Sequence, residues 1–214
     1  PSWPAGVRSS LLREVGAGRP GLTTRIGLGT FADPAVDGGR GNGAARDDLV
    51  ERVEVDGETY LRYRPLKIDV GIVRGSEVDP RGNIGFVREP ADLDACAVAL
   101  AAHNSGGVVL AQVECRRENP ILPARLARMP GILVDAVLVA PHARKTYLPD
   151  YDPHLSGELH ADPQAAVQPM EQPVGIRRII AERAMREIVG ARSVNFGYGI
   201  PGGIPALLQK AGKT

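Results

Sequence analysis

Three near-continuous apolar runs of strand length, 68–73, 108–113 and 132–139, follow one another, with an alanine-rich run over 91–103 between the first two. Apolar runs without polar alternation belong to strands buried on both faces. Strand, helix, strand in that order is a βαβ unit, whose strands must lie parallel. The pattern predicts an α/β fold, an open and mostly parallel sheet covered by helices. Asp92 and Asp94 fall in the first turn expected of the 91–103 helix, where carboxylates suit the dipole. That helix is apolar on most sides and should be buried, with Cys96 a buried thiol. Asn104-Ser105-Gly106-Gly107 stops it, and His103-Asn104-Ser105 is better read as a helix end than as a catalytic cluster.

The remaining chain supplies shorter elements. Val7, Leu11, Leu12 and Val15 have helical spacing, ended by the glycines of 16–21. A short strand is expected at 24–28. Asp56-Gly57-Glu58 between β-forming runs at 50–55 and 59–64 predicts a hairpin. Asp79-Pro80-Arg81-Gly82-Asn83 is a turn. From 141 to 172 prolines recur and periodicity fails, as in an extended connector. Helical periodicity returns over 174–189, with Ile176, Ile179, Ile180, Ala184 and Ile188 on one face and Gly190 at the end. Arg177, Arg178, Arg183 and Arg186 on that helix could reach a phosphate, but a solvated face accounts for them.

Two glycine-rich stretches are candidate sites. Ser193 to Pro205 has the form of a strand, a tight turn and a helix start, with Gly197, Gly199, Pro201 and Gly202 in the turn. Main-chain N–H groups at such a turn can bind an anion, and Gly197-x-Gly199-x-x-Gly202 also satisfies a dinucleotide fingerprint. Gly27, Gly29 and Thr30 are expected at a strand end, where ligands sit in open α/β sheets; the bland reading of either stretch is a plain turn.

Composition narrows the function. A net charge of +1 gives no field for nucleic acid or an acidic membrane. No apolar run is long enough to span a bilayer, no signal peptide is visible, and a cytoplasmic location is expected. Two cysteines make no disulfide framework, and His103, His142, His154 and His160 are too scattered for a metal site.

Taken in order, several segments resemble the family I coenzyme A transferases of the long fused type. They are Ala17-Gly18-Arg19-Pro20-Gly21-Leu22, Gly27-Leu28-Gly29-Thr30-Phe31-Ala32-Asp33-Pro34, Asp37-Gly38-Gly39 and Ala102-His103-Asn104-Ser105-Gly106-Gly107. Pro130-Gly131-Ile132-Leu133-Val134-Asp135, Ser156-Gly157-Glu158 and Val194-Asn195-Phe196-Gly197-Tyr198-Gly199-Ile200-Pro201 complete the set, which covers nearly the whole chain. Tyr198, in place of a smaller residue, and the second proline, Pro205, are departures.

The resemblance implies tandem α/β domains: the later part of the first over 1–140, the connector over 141–172 and the start of the second over 173–214. It implies CoA transfer between short-chain carboxylic acids through a Glu-CoA thioester. Coenzyme A is then a substrate, with no permanently bound cofactor or metal, and the full-length protein is a homo-oligomer. Gly197, Gly199, Pro201, Gly202, Gly27, Gly29 and Thr30 become candidate CoA-binding residues. The nucleophilic Glu is expected beyond Thr214, so these residues alone should be inactive; Glu14-Val15-Gly16 matches its Glu-x-Gly setting by accident. The alternatives are a dinucleotide- or phosphate-binding module without transferase chemistry and a structural subunit of a split transferase.

Overall fold

A computed structural model describes residues 2–45, 47–118, 121–142, 152–154, 156–160, 162, 171–188, 190–197 and 199–212. The chain divides into two compact units, Pro1–His160 and Ala161–Thr214.

The first unit is built around the expected βαβ unit. Strands β4 (Val70–Arg74) and β7 (Val108–Val113) pair in parallel across helix α2 (Ala95–Asn104), and β10 (Ala136–Val139) pairs in parallel with the other side of β7. Alternate residues of these strands face α2. Val73, Val109, Ala111 and Val113 pack with Ala99 and Ala102 of the helix, all buried. The opposite face carries Ile72 and Leu138, which are 75% and 63% exposed, with Val70, Val108 and Leu110 beside them. The expected cover on both faces is therefore present on one face among the described residues.

Helix α1 (Ala5–Gly16) packs between α2 and an antiparallel sheet of β1 (Leu22–Thr24), β3 (Glu58–Tyr63) and β2 (Val50–Val55), in that order. Trp3, Val7 and Leu11 meet Val50, Leu61 and Tyr63 there. The β2–β3 hairpin turns on Asp56 and Gly57, both with positive φ (51° and 81°), as a two-residue loop between twisted strands requires. A small third sheet joins β5 (Glu77–Val78), β6 (Ile84–Gly85), β8 (Cys115–Arg116) and β9 (Ala127–Met129). The expected 79–83 turn is clasped by the buried Asp79 carboxylate, which accepts from the N–H groups of Arg81, Asn83 and Leu122.

Four expectations need correction. Helix α2 begins at Ala95, not 91, because Leu93 adopts a left-handed φ of 47°. Asp92 and Asp94 therefore precede the first turn. Asp94 accepts from Ser9 Oγ (2.7 Å) and Arg13 (3.0 Å), binding α1 to the start of α2, and Asp92 pairs with Arg128. Cys96 is half-buried and lines a cavity. The run 132–139 is a strand only in its second half. Leu133 and Val134 donate back to Pro130 and Gly131, closing a 3-10 turn over Gly131–Leu133 before β10 can start. The strand expected at 24–28 ends at Thr24, where Leu28 N–H turns back to the Arg25 carbonyl (3.2 Å).

The second unit holds α3 (Gly175–Met185), a 3-10 turn over Arg186–Ile188, another over Ile200–Gly203, and α4 (Ile204–Lys210). Its core is small: Ala181, Ile204 and Leu207, flanked by Ala184, Met185, Ile188, Phe196 and Leu208. The apolar stripe of α3 is wider than this core, and Ile176 and Ile179 stand 71% and 64% exposed. No strand leads into the glycine stretch among the described residues; 193–197 finds no neighbouring strand to pair with in this unit. Most of the expected connector, and Tyr198, lie outside the described residues. Among the described residues, no helix is long and apolar enough to cross a membrane.

Candidate functional site

Each unit carries one of the two glycine-rich stretches, and their local chemistry differs. In the first unit Gly27, Gly29 and Thr30 lie in a turn after β1, an outer strand of the antiparallel sheet. They do not stand at the carboxyl edge of the parallel sheet, which was the reason for expecting a ligand there. The turn is held from below. Tyr63, fully buried and edge-on to Trp3 (centroids 5.5 Å apart), donates its hydroxyl to the Ile26 carbonyl at 2.8 Å. Gly27 has φ 99°, and a Cβ there would lie 2.4 Å from that hydroxyl.

The polar groups of this turn satisfy one another. Thr30 donates both its N–H (3.1 Å) and its hydroxyl (2.7 Å) to the Gly27 carbonyl. Gly29 N–H donates to Asp33 Oδ2 (2.9 Å), and Ala35 N–H to Asp33 Oδ1 (3.0 Å). Asp33 is buried, and its carbonyl accepts from Val36, Asp37 and Gly38 as well. The Gly29 N–H, then the Ala35 N–H, hold its carboxyl below the ordinary range against the cost of burial, and the charge of Arg52 adds to their effect. The Gly29 and Thr30 N–H groups, the donors this turn offers to an anion, are thus already engaged.

In the second unit Gly197, Gly199, Pro201 and Gly202 are all exposed. Gly199 has φ 103° and ψ −131°, a conformation closed to side-chain-bearing residues. Gly197 and Gly202 have no such requirement. A Cβ at either would meet no heavy atom within 4 Å, so the fold of this unit gives neither a steric reason to be glycine. Gly203 is different, with a Cβ position 3.1 Å from Pro173. The Gln172 Nε2 bond to the Ala206 carbonyl (3.0 Å) lies beside a groove of about 290 Å³ between the start of α3 and the turn. Gly199, Ile200 and Gly202 form one side of it, and Val174, Arg177 and Glu171 another.

The expected helix start lies further on. Gly202 N–H donates to the Gly199 carbonyl (3.1 Å) in the 3-10 turn, and α4 begins only at Ile204 with Pro205 in its first turn. Gly199 therefore caps the 3-10 turn rather than α4 itself, and Gly197 lies outside both. The residue that sequence reasoning missed is Arg177, assigned to a solvated helix face and found beside the glycine turn. Its position at the first turn of a helix separated from the turn by about two dozen residues could not be read from periodicity.

Larger cavities lie in the first unit, lined by none of Gly27, Gly29 and Thr30. One of about 600 Å³ is bordered by Arg13, Arg125, Arg128 and Cys96. Another, of about 520 Å³, is bordered mostly by apolar residues of α1 with Leu66, Ile68 and Val98. Among the described residues no group of His, Cys, Asp and Glu side chains could hold a metal ion.

The family profile described as coenzyme A transferase matches residues 2–140. Over 212 residues, 98% of this chain and 40% of the other protein, the chain is 40% identical to a caffeate CoA-transferase of Acetobacterium woodii. It is 34% identical to the acetate CoA-transferase YdiF of Escherichia coli K12, over 99% of this chain and 39% of that protein. The structure superimposes on the crystal structure of the acyl-CoA transferase YdiF of E. coli O157:H7, a thioester complex with CoA, with a TM-score of 0.84 at 33% identity. That match covers 99% of this chain and 42% of the other. The chain thus spans about two-fifths of the length of the curated relatives it matches. On the match over 2–140 and the agreement of fold, this chain belongs to the coenzyme A transferase family.

Proposed function

We propose that this chain is part of an acyl-CoA:carboxylate CoA-transferase that moves CoA between short-chain carboxylic acids through a Glu-CoA thioester. The observation that carries the reading is the similarity in fold, along 99% of the chain, to an acyl-CoA transferase captured as a thioester with CoA. The reaction needs an activated carboxylate nucleophile, main-chain donors for the developing oxyanion and exclusion of water. In this reading the nucleophilic Glu is not among residues 1–214. What the chain contributes is main chain that a substrate can approach closely at the exposed Gly197, Gly199 and Gly202, which carry no side chains, with the ring of the exposed Pro201, which has no N–H to donate, between them.

The self-satisfied turn at Gly27, Gly29 and Thr30 has a smaller part here. Its exposed Thr30 and Phe31 can border a ligand, but its N–H groups at Gly29 and Thr30 are engaged within the turn. Division into a first domain over 1–140, a connector over 141–172 and a second domain from 173, a homo-oligomeric full-length enzyme and a cytoplasmic location belong to the same proposal. The full-length protein tests it. Incubated with acetyl-, propionyl- or caffeoyl-CoA and a different free acid, it should yield the exchanged thioester. Borohydride added after the acyl-CoA should reduce the enzyme thioester and abolish activity. Absence of exchange with every donor and acceptor, or full activity after borohydride, would overturn the reading.

A further inference from the structure

Arg177 lies in the first turn of α3 and lines the same groove as Gly199 and Gly202. Its neighbours on the helix are paired: Arg178 Nε donates to Glu182 at 2.7 Å, and Arg183 donates to Glu187. Among the described residues the Arg177 guanidinium has no hydrogen bond or ion pair, and it is exposed. A guanidinium presents its donors in a planar fork that fits the paired oxygens of a carboxylate or phosphate. The opposite side of the groove is main chain with no side chain in the way at Gly199 or Gly202. Pro173, Val174 and Ile200 give it apolar walls, and the Gln172–Ala206 bond ties the segment before α3 to α4. Among the described residues Glu171 is the one carboxylate lining the groove, and its charge opposes that of Arg177.

We propose that Arg177 is a substrate-anchoring residue: its guanidinium holds an anionic oxygen pair of the substrate while the adjoining part of that substrate lies against the main chain at Gly199–Gly202. The anchor rests on the CoA-transfer reading above. The anion is a phosphate of CoA or the carboxylate of the acid, two sources of one chemistry. Glu171 sits where its charge weakens this binding, so the two side chains have opposite effects on the same substrate.

The test uses the full-length protein with Arg177→Gln, Arg177→Lys, Glu171→Gln and, as a control from the paired face of α3, Arg178→Gln. KM is measured separately for acyl-CoA and for the acceptor acid, alongside kcat. Arg177→Gln should raise one KM about tenfold, as loss of a charge-assisted hydrogen bond does. Arg177→Lys should recover part of the loss, Glu171→Gln should lower the same KM, and Arg178→Gln should change neither. A shift confined to acyl-CoA, and reduced with a 3′-dephospho donor, identifies a phosphate; a shift confined to the acceptor identifies the carboxylate. Both KM values unchanged in Arg177→Gln would overturn the anchor, and Arg177→Lys carries the same test if the glutamine variant does not fold. Should the wild-type protein exchange no CoA, the functional reading fails by itself. The anchor is then decided by calorimetric titration of wild type and Arg177→Gln with CoA, with inorganic phosphate and with acetate, where equal affinities for all three would sink it.

Discussion

The two glycine-rich turns look alike as sequence, yet physical chemistry treats them in opposite ways. At Gly27 the glycine is demanded by what lies beneath it: a positive φ, the Tyr63 hydroxyl and the Leu61 side chain. The turn around it returns its own N–H groups to Gly27 and Asp33. At Gly197 and Gly202 nothing beneath demands glycine, and the empty side faces out. A glycine explained by its own fold says little about ligands. A glycine that its fold leaves unexplained points to something outside it. Gly27→Ala should destabilise the first unit by about 3 kcal/mol, through left-handed strain and overpacking together. Thermal denaturation would show it. A melting temperature equal to wild type would mean that the Tyr63 contact is loose and that this turn is no better explained than the other.

Asp33 offers the next largest effect. Asp33→Asn leaves the Gly29 or the Ala35 N–H facing an amide nitrogen instead of an oxygen, a loss of about 2 kcal/mol. The sign with pH follows from the lowered folded pKa, caused first by the Gly29 N–H. The carboxylate contributes stability above the unfolded value of about 3.9, and that contribution disappears as pH falls through the still lower folded value. The gap in melting temperature between wild type and Asp33→Asn should therefore be widest near neutral pH and narrow below about pH 4. A gap independent of pH would show that Asp33 does not hold the turn as a carboxylate.

How far these differences could be read in the sequence depends on which physics set them. Local rules served well. The Asp56-Gly57 pair located its hairpin, and β7 matches the run 108–113 at both ends. The ordered set of short motifs led to the family. What was missed came from contacts distant in sequence or from backbone choices that apolarity does not encode. The left-handed Leu93 shortens α2, and local bonding over Gly131–Val134 delays β10. The Asp33 carboxylate and Tyr63 hydroxyl engage the Gly29 N–H and the Ile26 carbonyl of the 26–30 turn from positions that local sequence does not reveal. Arg177 was visible as a helical residue, but only the folded groove shows that it faces the glycine turn while Arg178 and Arg183 find glutamates.

The smallest expected change in stability is the most informative about the second turn. Gly199→Ala forces a side chain into φ 103° and should cost about 1–3 kcal/mol, so any loss of activity would mix strain with obstruction. Gly202→Ala has no such confusion. Its Cβ meets no heavy atom within 4 Å, and its φ is not left-handed. Stability should stay within about 0.5 kcal/mol of wild type, with alanine slightly favoured for its lower unfolded-chain entropy. In the full-length protein the same methyl group would stand where a substrate lies against the main chain, so exchange of CoA should fall even though the fold does not change. Matched melting curves with reduced kcat/KM would place the reason for this glycine in the ligand. Matched melting curves with wild-type exchange would remove Gly202 from the site and leave Arg177 without the surface against which its anion is held.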